Sequence, residues 1–254
     1  MLELLELTKR FSHTPVVDRV SFIAKPSEVT GYLGPNGAGK STTVKMLTGL
    51  LPPSDGEILY QGQNIQKDLV AYKRRLGYVP EEPHLYSYLS GREFLQLVGR
   101  LRSIPDKILT EKIDHLLQLF SLFPNRYSAI ASYSKGMRQK ILISAALLHN
   151  PEILVFDEAE SGLDVASVLV FRSLIKALAG QGKIIIYSSH ILEVVEKVCS
   201  KVVILHRGRV IADDSVEQLR VLMQLPSLES IFQQLLVQPD PESTVAEILK
   251  VMKL

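Results

Sequence analysis

Cysteine is almost missing from this chain: Cys199 is the one example in 254 residues. An internal disulfide framework is excluded, and a reducing compartment is expected. Long apolar runs are missing too. Stretches such as Ala145-Ala146-Leu147-Leu148 after Ile141-Leu142-Ile143 fall far short of the roughly 18 residues a membrane span needs. No charge sign dominates, and a net charge of +2 does not suggest nucleic-acid binding. Met1-Leu2-Glu3-Leu4-Leu5-Glu6 has no basic segment leading into an apolar core, so no signal peptide is expected there. Internal repeats and low-complexity tracts are absent. These absences predict a soluble protein that reaches a membrane only through a partner. What the chain does have is 46% hydrophobic and 22% charged residues, enough core for one large α/β domain or two small ones.

The most informative stretch is Gly34-Pro35-Asn36-Gly37-Ala38-Gly39-Lys40-Ser41-Thr42, which fits G-x-x-x-x-G-K-[ST]. Apolar Val29–Leu33 predicts a buried strand before it, and Thr42–Leu51 a helix after it. Such a loop aims backbone N–H groups at phosphate oxygens, and the helix N-terminus adds positive partial charge. Glycines let the backbone wrap the phosphate closely. Lys40 would reach the terminal phosphates and Ser41 would hold Mg²⁺. A nucleotide site is therefore expected.

Short apolar runs predict strands over Leu2–Leu7, Val20–Ala24 and Glu57–Tyr60, with Phe11 in the connection between the first two. Gly77–Glu81 reads as a strand stopped by Pro80, leaving Glu81 at its exit. Ser90-Gly91-Arg92-Glu93 is a capping-box pattern that opens a helix to about Leu101. Helical spacing continues over Asp106–Phe120 and Gly136–His149, so residues of roughly 85–150 read as an inserted helical subdomain. Alternation then resumes: strands over Glu152–Phe156, Lys183–Tyr187, Val202–Leu205 and Val210–Ala212, helices over Val165–Ala179 and Ile191–Cys199. That alternation predicts a mostly parallel sheet covered on both faces. Ser215–Met223, Ser227–Val237 and Ser243–Met252 predict a helical tail.

Ile153-Leu154-Val155-Phe156-Asp157-Glu158 is an apolar strand ending in two carboxylates. Beside a phosphate loop, Asp157 is suited to Mg²⁺ and Glu158 to activating a water as general base. His190 follows the strand Ile184–Ser188, at the sheet edge where ligands bind in open α/β folds.

With these residues in place, the chain resembles the nucleotide-binding subunit of an ATP-binding-cassette (ABC) transporter. Gly34–Thr42 resembles the family's Walker A loop and Leu154–Glu158 its Walker B strand. Tyr133-Ser134-Lys135-Gly136-Met137-Arg138-Gln139 resembles the signature. Ser161-Gly162-Leu163-Asp164 resembles the D-loop, Ser188-Ser189-His190 the switch, and Phe11 the adenine-stacking aromatic. Three departures stand out. Glu81 replaces the usual glutamine, the signature reads Ser-Lys-Gly-Met, and Ala159-Glu160 replaces a usual proline and hydroxyl residue. The first two resemble drug, ion and polysaccharide exporters. The third bears on hydrolysis rate.

The resemblance implies a P-loop NTPase α/β core with a mostly parallel sheet, an N-terminal antiparallel β-subdomain and the inserted helical subdomain. Residues 1–214 would form the ATPase domain and 215–254 a tail not needed for nucleotide binding. It assigns catalysis to Glu158, His190 and Lys40. Nucleotide contact falls to Phe11, to Gly34, Pro35, Asn36, Gly37, Ala38, Gly39, Lys40, Ser41 and Thr42, and to Ser134, Lys135, Gly136 and Met137. Ser41, Glu81 and Asp157 would hold the metal. The implied cofactors are ATP and Mg²⁺. The implied partners are a second nucleotide-binding subunit, with a homodimer expected, and an integral-membrane permease holding the chain at the inner face of the cell membrane. No nucleic acid is implied. A soluble ABC ATPase of translation or DNA repair, and a weakly hydrolysing regulatory subunit, remain as alternatives.

Overall fold

The computed structural model of the chain describes residues 1–189, 192–223, 227–228, 230 and 250–252. Its elements in chain order are β1 (Leu2–Arg10), β2 (Pro15–Ala24), β3 (Val29–Leu33), α1 (Lys40–Leu47), β4 (Asp55–Tyr60), β5 (Gln63–Asn64), α2 (Leu69–Arg74) and β6 (Leu76–Val79). Then come α3 (Gly91–Leu101), α4 (Asp106–Leu119), α5 (Lys135–Leu147), β7 (Ile153–Asp157), α6 (Val165–Gly180), β8 (Ile184–Ser188), α7 (Leu192–Val198), β9 (Lys201–His206), β10 (Arg209–Ser215) and α8 (Val216–Met223).

Two sheets result. An antiparallel sheet is ordered β2-β1-β4-β5, and a six-stranded sheet β10-β9-β3-β8-β7-β6. In the larger sheet only the β9–β10 hairpin is antiparallel. Every residue of β3, β7 and β8 is buried, because both faces of a parallel sheet are covered. Side-chain alternation sends the two faces to different cores. Leu33, Leu154, Phe156, Ile185 and Tyr187 join α5, α6 and α7 on one face. Tyr32, Val155, Ile184, Ile186 and Val203 meet α1 and the antiparallel sheet on the other. On the first face Phe156 packs edge-on against Phe171 of α6, with ring centres 5.1 Å apart.

The helical subdomain has its own core of Leu95, Leu109, Ile113, Leu117, Ile130 and Ile141. The predicted capping box is present at α3. Ser90 Oγ accepts from the Glu93 amide, and the Glu93 carboxylate accepts from the Ser90 amide at 2.8 Å.

Several boundaries differ from the sequence reading. β1 continues past Leu7 to Arg10 through register shifts against β2, which hide its strand character from a period-two reading. The helix after the phosphate loop covers Lys40–Leu47 rather than Thr42–Leu51. It is closed by Thr48, with Gly49 at φ +68°. α2 and the short β5 were not anticipated, although Asp68 caps α2 by accepting from the Ala71 amide at 2.9 Å. Val216 and Leu219 of α8, with Leu228, lie in the main core, so the tail begins as part of the fold. The remaining tail predictions fall largely outside the described residues. No helix among the described residues is long and apolar enough to cross a membrane.

Leu219→Ala should therefore destabilise the protein by about 2–5 kcal/mol, the usual range for emptying a buried leucine position, while leaving ATP affinity unchanged. Urea unfolding and calorimetric ATP titration check both halves.

Candidate active site

Strand order brings the predicted residues together. β3, β8, β7 and β6 are neighbours and run parallel, so their carboxyl ends share one edge. The phosphate loop leaves β3 there, Ser188 ends β8, Asp157 ends β7, and Glu81 follows β6. Between them lies a cleft of about 380 Å³ lined by Val16, Asn36, Gly37, Gly39, Lys40, Ser41, Thr42, Glu81, Asp157, Glu158 and Ser188.

The loop is shaped by close backbone approaches. Gly39 has φ +103°, and a Cβ there would lie 2.7 Å from the Val16 carbonyl oxygen, so only glycine fits. The loop is also held from behind. The Gly208 amide, in the β9–β10 turn, donates to the Ala38 carbonyl at 3.0 Å. The Asp18 amide of β2 donates to the Gly208 carbonyl at 2.8 Å.

Lys40 donates to the carbonyls of Gly34 at 2.6 Å and Pro35 at 3.2 Å. Burial lowers its pKa, and the negative charges of Glu158, Asp157 and Glu81 work against that shift. Asp157 is raised, first by burial and then by the nearby carboxylates of Glu81 and Glu158. Three carboxylates thus crowd one ammonium, an arrangement that favours a cation. The Ser41 hydroxyl and the carboxylates of Asp157 and Glu81 offer oxygen donors only, which suits Mg²⁺. Among the described residues no group of three His, Cys, Asp or Glu side chains could hold a metal alone. A Mg²⁺ here would share its coordination with phosphate and water, as is usual for that ion.

Other predicted residues lie elsewhere. Phe11 is exposed in the connection after β1, with the Lys9 ammonium 5.6 Å from its ring centre, and it does not line the cleft. Ser134 caps α5, its hydroxyl accepting from the Met137 amide at 3.2 Å. Lys135 Nζ donates to Ser161 Oγ at 2.7 Å, and Gly136 backs directly onto the Gly162 carbonyl. Lys135 and Gly136 therefore sit against the chain's own 161–164 loop, Met137 packs on the core of the helical subdomain, and none of Ser134, Lys135, Gly136 and Met137 lines the cleft. His190 lies outside the described residues. Val16 and Ser188 also line the cleft; neither was given a site role from the sequence, although Ser188 belongs to the Ser188-Ser189-His190 segment that resembles the switch. Val16 carried no signal, whereas Ser188 was recognisable as the last residue of a strand ending at this edge.

Residues 17–161, which include the phosphate loop, the 134–137 segment and Asp157-Glu158, match the family model described as ABC transporter. The chain belongs to the ABC transporter family. It is an ATP-binding, ATP-hydrolysing subunit of that family. It is 36% identical to the ABC transporter ATP-binding protein NatA of Bacillus subtilis, covering 94% of this chain and 99% of NatA. It is 35% identical to the bacitracin transport ATP-binding protein BcrA of Bacillus licheniformis, over 87% of this chain and 71% of that one. Among solved structures, an ATP-binding subunit of an ABC transporter superposes with a TM-score of 0.87 at 32% identity, covering 92% of this chain and 99% of that one.

The crowding of carboxylates in this ABC subunit has a testable sign. Asp157 has a raised pKa in the folded protein, so its ionisation weakens the fold at neutral pH, and this cost disappears below the ordinary carboxylate range near about 4. In nucleotide- and metal-free buffer, Asp157→Asn should be more stable than wild type at neutral pH. The advantage should shrink as pH falls, as urea unfolding at a series of pH values would report.

Proposed function

We propose that this subunit drives an exporter, working as a homodimer on a separate membrane-embedded permease. The observation that carries the reading is the meeting of Lys40, Ser41, Glu81, Asp157 and Glu158 in one cleft at the ends of parallel strands. Similarity to proteins named for bacitracin transport and linearmycin resistance supports export.

In this reading the amides of residues 34–42 and the Lys40 ammonium hold the nucleotide's phosphates. Ser41, Asp157 and Glu81 would hold Mg²⁺, which when bound neutralises charge on the phosphates. Glu158 accepts the proton of the attacking water, and His190, assigned to catalysis by the family resemblance, assists hydrolysis. Phe11 stacks on the base from its exposed position. Ser134, Lys135, Gly136 and Met137 lie outside the cleft of their own chain, so they contact nucleotide held by a second copy in a head-to-tail pair. The start of α5 then offers a second set of backbone amides to the terminal phosphate. Nucleotide binds the closed pair better than the open one, which shifts the population toward closure. Residues 1–214 carry this chemistry, the segment 215–254 is not needed for nucleotide binding although its first helix packs into the main core, and no nucleic acid takes part. The permease brings the subunit to the inner face of the membrane.

Glu158→Gln should retain ATP binding and lose about 10²–10⁴-fold in turnover, as is typical when a general base is removed. With Mg-ATP the ATP-bound dimer should accumulate on size exclusion. A monomeric variant hydrolysing at the wild-type rate would refute both the base and the dimer.

Glu81 gives a separate handle. Its charge favours Mg²⁺ and opposes the terminal phosphate, and the ion carries the larger local charge. Glu81→Gln should require more Mg²⁺ for half-maximal ATPase rate while binding Mg-free ATP almost as wild type does. Coincident Mg²⁺ titration curves would remove Glu81 from the metal site.

A further inference from the structure

The turn carrying Glu158 is fastened to the fold by Glu160, one of the residues that depart from the family pattern. Glu158 has φ +50°, a conformation a glutamate keeps only where its surroundings impose it. Its amide donates to the Ser188 carbonyl at 3.0 Å, and its carbonyl accepts from the Ser161 amide at 3.0 Å. Ala159 is fully buried in the main core. Glu160 then accepts both prongs of Arg172: Nε at 2.9 Å and Nη2 at 2.7 Å. The two side chains are 10% and 25% exposed. Tyr187 of β8 faces the same carboxylate. Burial first, and the Glu160 charge second, hold its phenol protonated well above the usual range.

Arg172 adjoins Phe171, which packs on Phe156 of β7. The pair therefore ties the turn to the helix already seated against the strand it leaves. A forked guanidinium–carboxylate pair fixes direction as well as distance. Two residues before Glu160 stands Glu158. One residue after it, Ser161 meets Lys135.

We propose that Glu160 is a positioning residue for hydrolysis. Its forked pair with Arg172 sets the angle of the turn that presents Glu158 to the phosphate cleft. A proline ring would stiffen this turn by fixing φ. Here an ion pair supplies the stiffness from outside the turn. The inference rests on the reading of Glu158 as general base.

The test is a double-mutant cycle of Glu158→Gln and Glu160→Gln, with ATP affinity and turnover measured well below each variant's unfolding temperature. Glu160→Gln alone should lower turnover at saturating ATP by about 10- to 100-fold, the scale of a small misplacement of a reacting group. Its ATP dissociation constant should stay within about twofold of wild type. Added to Glu158→Gln, it should change the residual rate by less than about twofold, because a group acting only through Glu158 has nothing left to position. Arg172→Lys, which keeps the charge and loses the fork, should show the same pattern, and decides the matter if Glu160→Gln does not fold. Wild-type turnover in both the Glu160 and Arg172 variants overturns the inference, as do multiplicative losses in the double variant or a matching loss of ATP affinity. A Glu158→Gln enzyme with normal turnover sinks the general-base reading, and this inference with it. A slow Glu158→Gln beside normal Glu160 and Arg172 variants sinks the positioning role alone.

Discussion

Everything at the cleft depends on the parallel pairing of β3, β8, β7 and β6. These strands are covered on both faces, so charged side chains are excluded along their length and emerge only where the strands stop. Pairing in one direction places all the stops on one edge. The loop after β3, Asp157 and Glu158 after β7 and Glu81 after β6 are far apart in sequence, yet they become neighbours through backbone hydrogen bonds. A slip of register by one residue would exchange the two faces of a strand. It would break both cores and the cleft together.

The same edge concentrates electrostatic tension. Asp157 is held above the ordinary carboxylate range and Lys40 below the ordinary ammonium range, each mainly by burial. Their mutual attraction offsets only part of that cost. A site in this condition is stabilised by ligands that bring both a cation and a phosphate chain, since each relieves a different part of the imbalance. The local strain at Glu158 and the Glu160–Arg172 pair belong to this economy. A rigid surround lets a small turn keep an unfavourable backbone angle.

Much of this was legible in the sequence, for reasons that differ by element. The phosphate loop can be read locally because its glycines answer to backbone geometry within nine residues. Gly39 could not carry a side chain beside Val16. The strand ending in Asp157-Glu158 can be read because it is wholly apolar until it stops. α3 can be read from Ser90 and Glu93 alone. Other features depend on partners distant in sequence. Nothing near Val16 announces that it will border a loop that begins eighteen residues on. The extension of β1 to Arg10 depends on bulges. The signature segment was recognised by resemblance, and its distance from the cleft of its own chain became visible only in three dimensions. Ala159-Glu160 read as a departure. Its counterpart, Arg172, lies about two turns into the next helix, where an arginine carries no local signal.

The β9–β10 turn has a consequence for the tolerance of this chain to change in length. Hairpin tips on a surface ordinarily accept extra residues, since little leans on them. Arg207-Gly208 is a tip of another kind. Gly208 lies between the Asp18 amide and the Ala38 carbonyl, and a Cβ at that position would lie 2.7 Å from the Val16 carbonyl oxygen. The tip therefore acts as a gauge block between the antiparallel sheet and the phosphate loop. An insertion there would lengthen no exposed loop. It would move the wall against which the loop is formed, so the number of residues between β9 and β10 is as tightly constrained as the identity of any glycine in the loop itself.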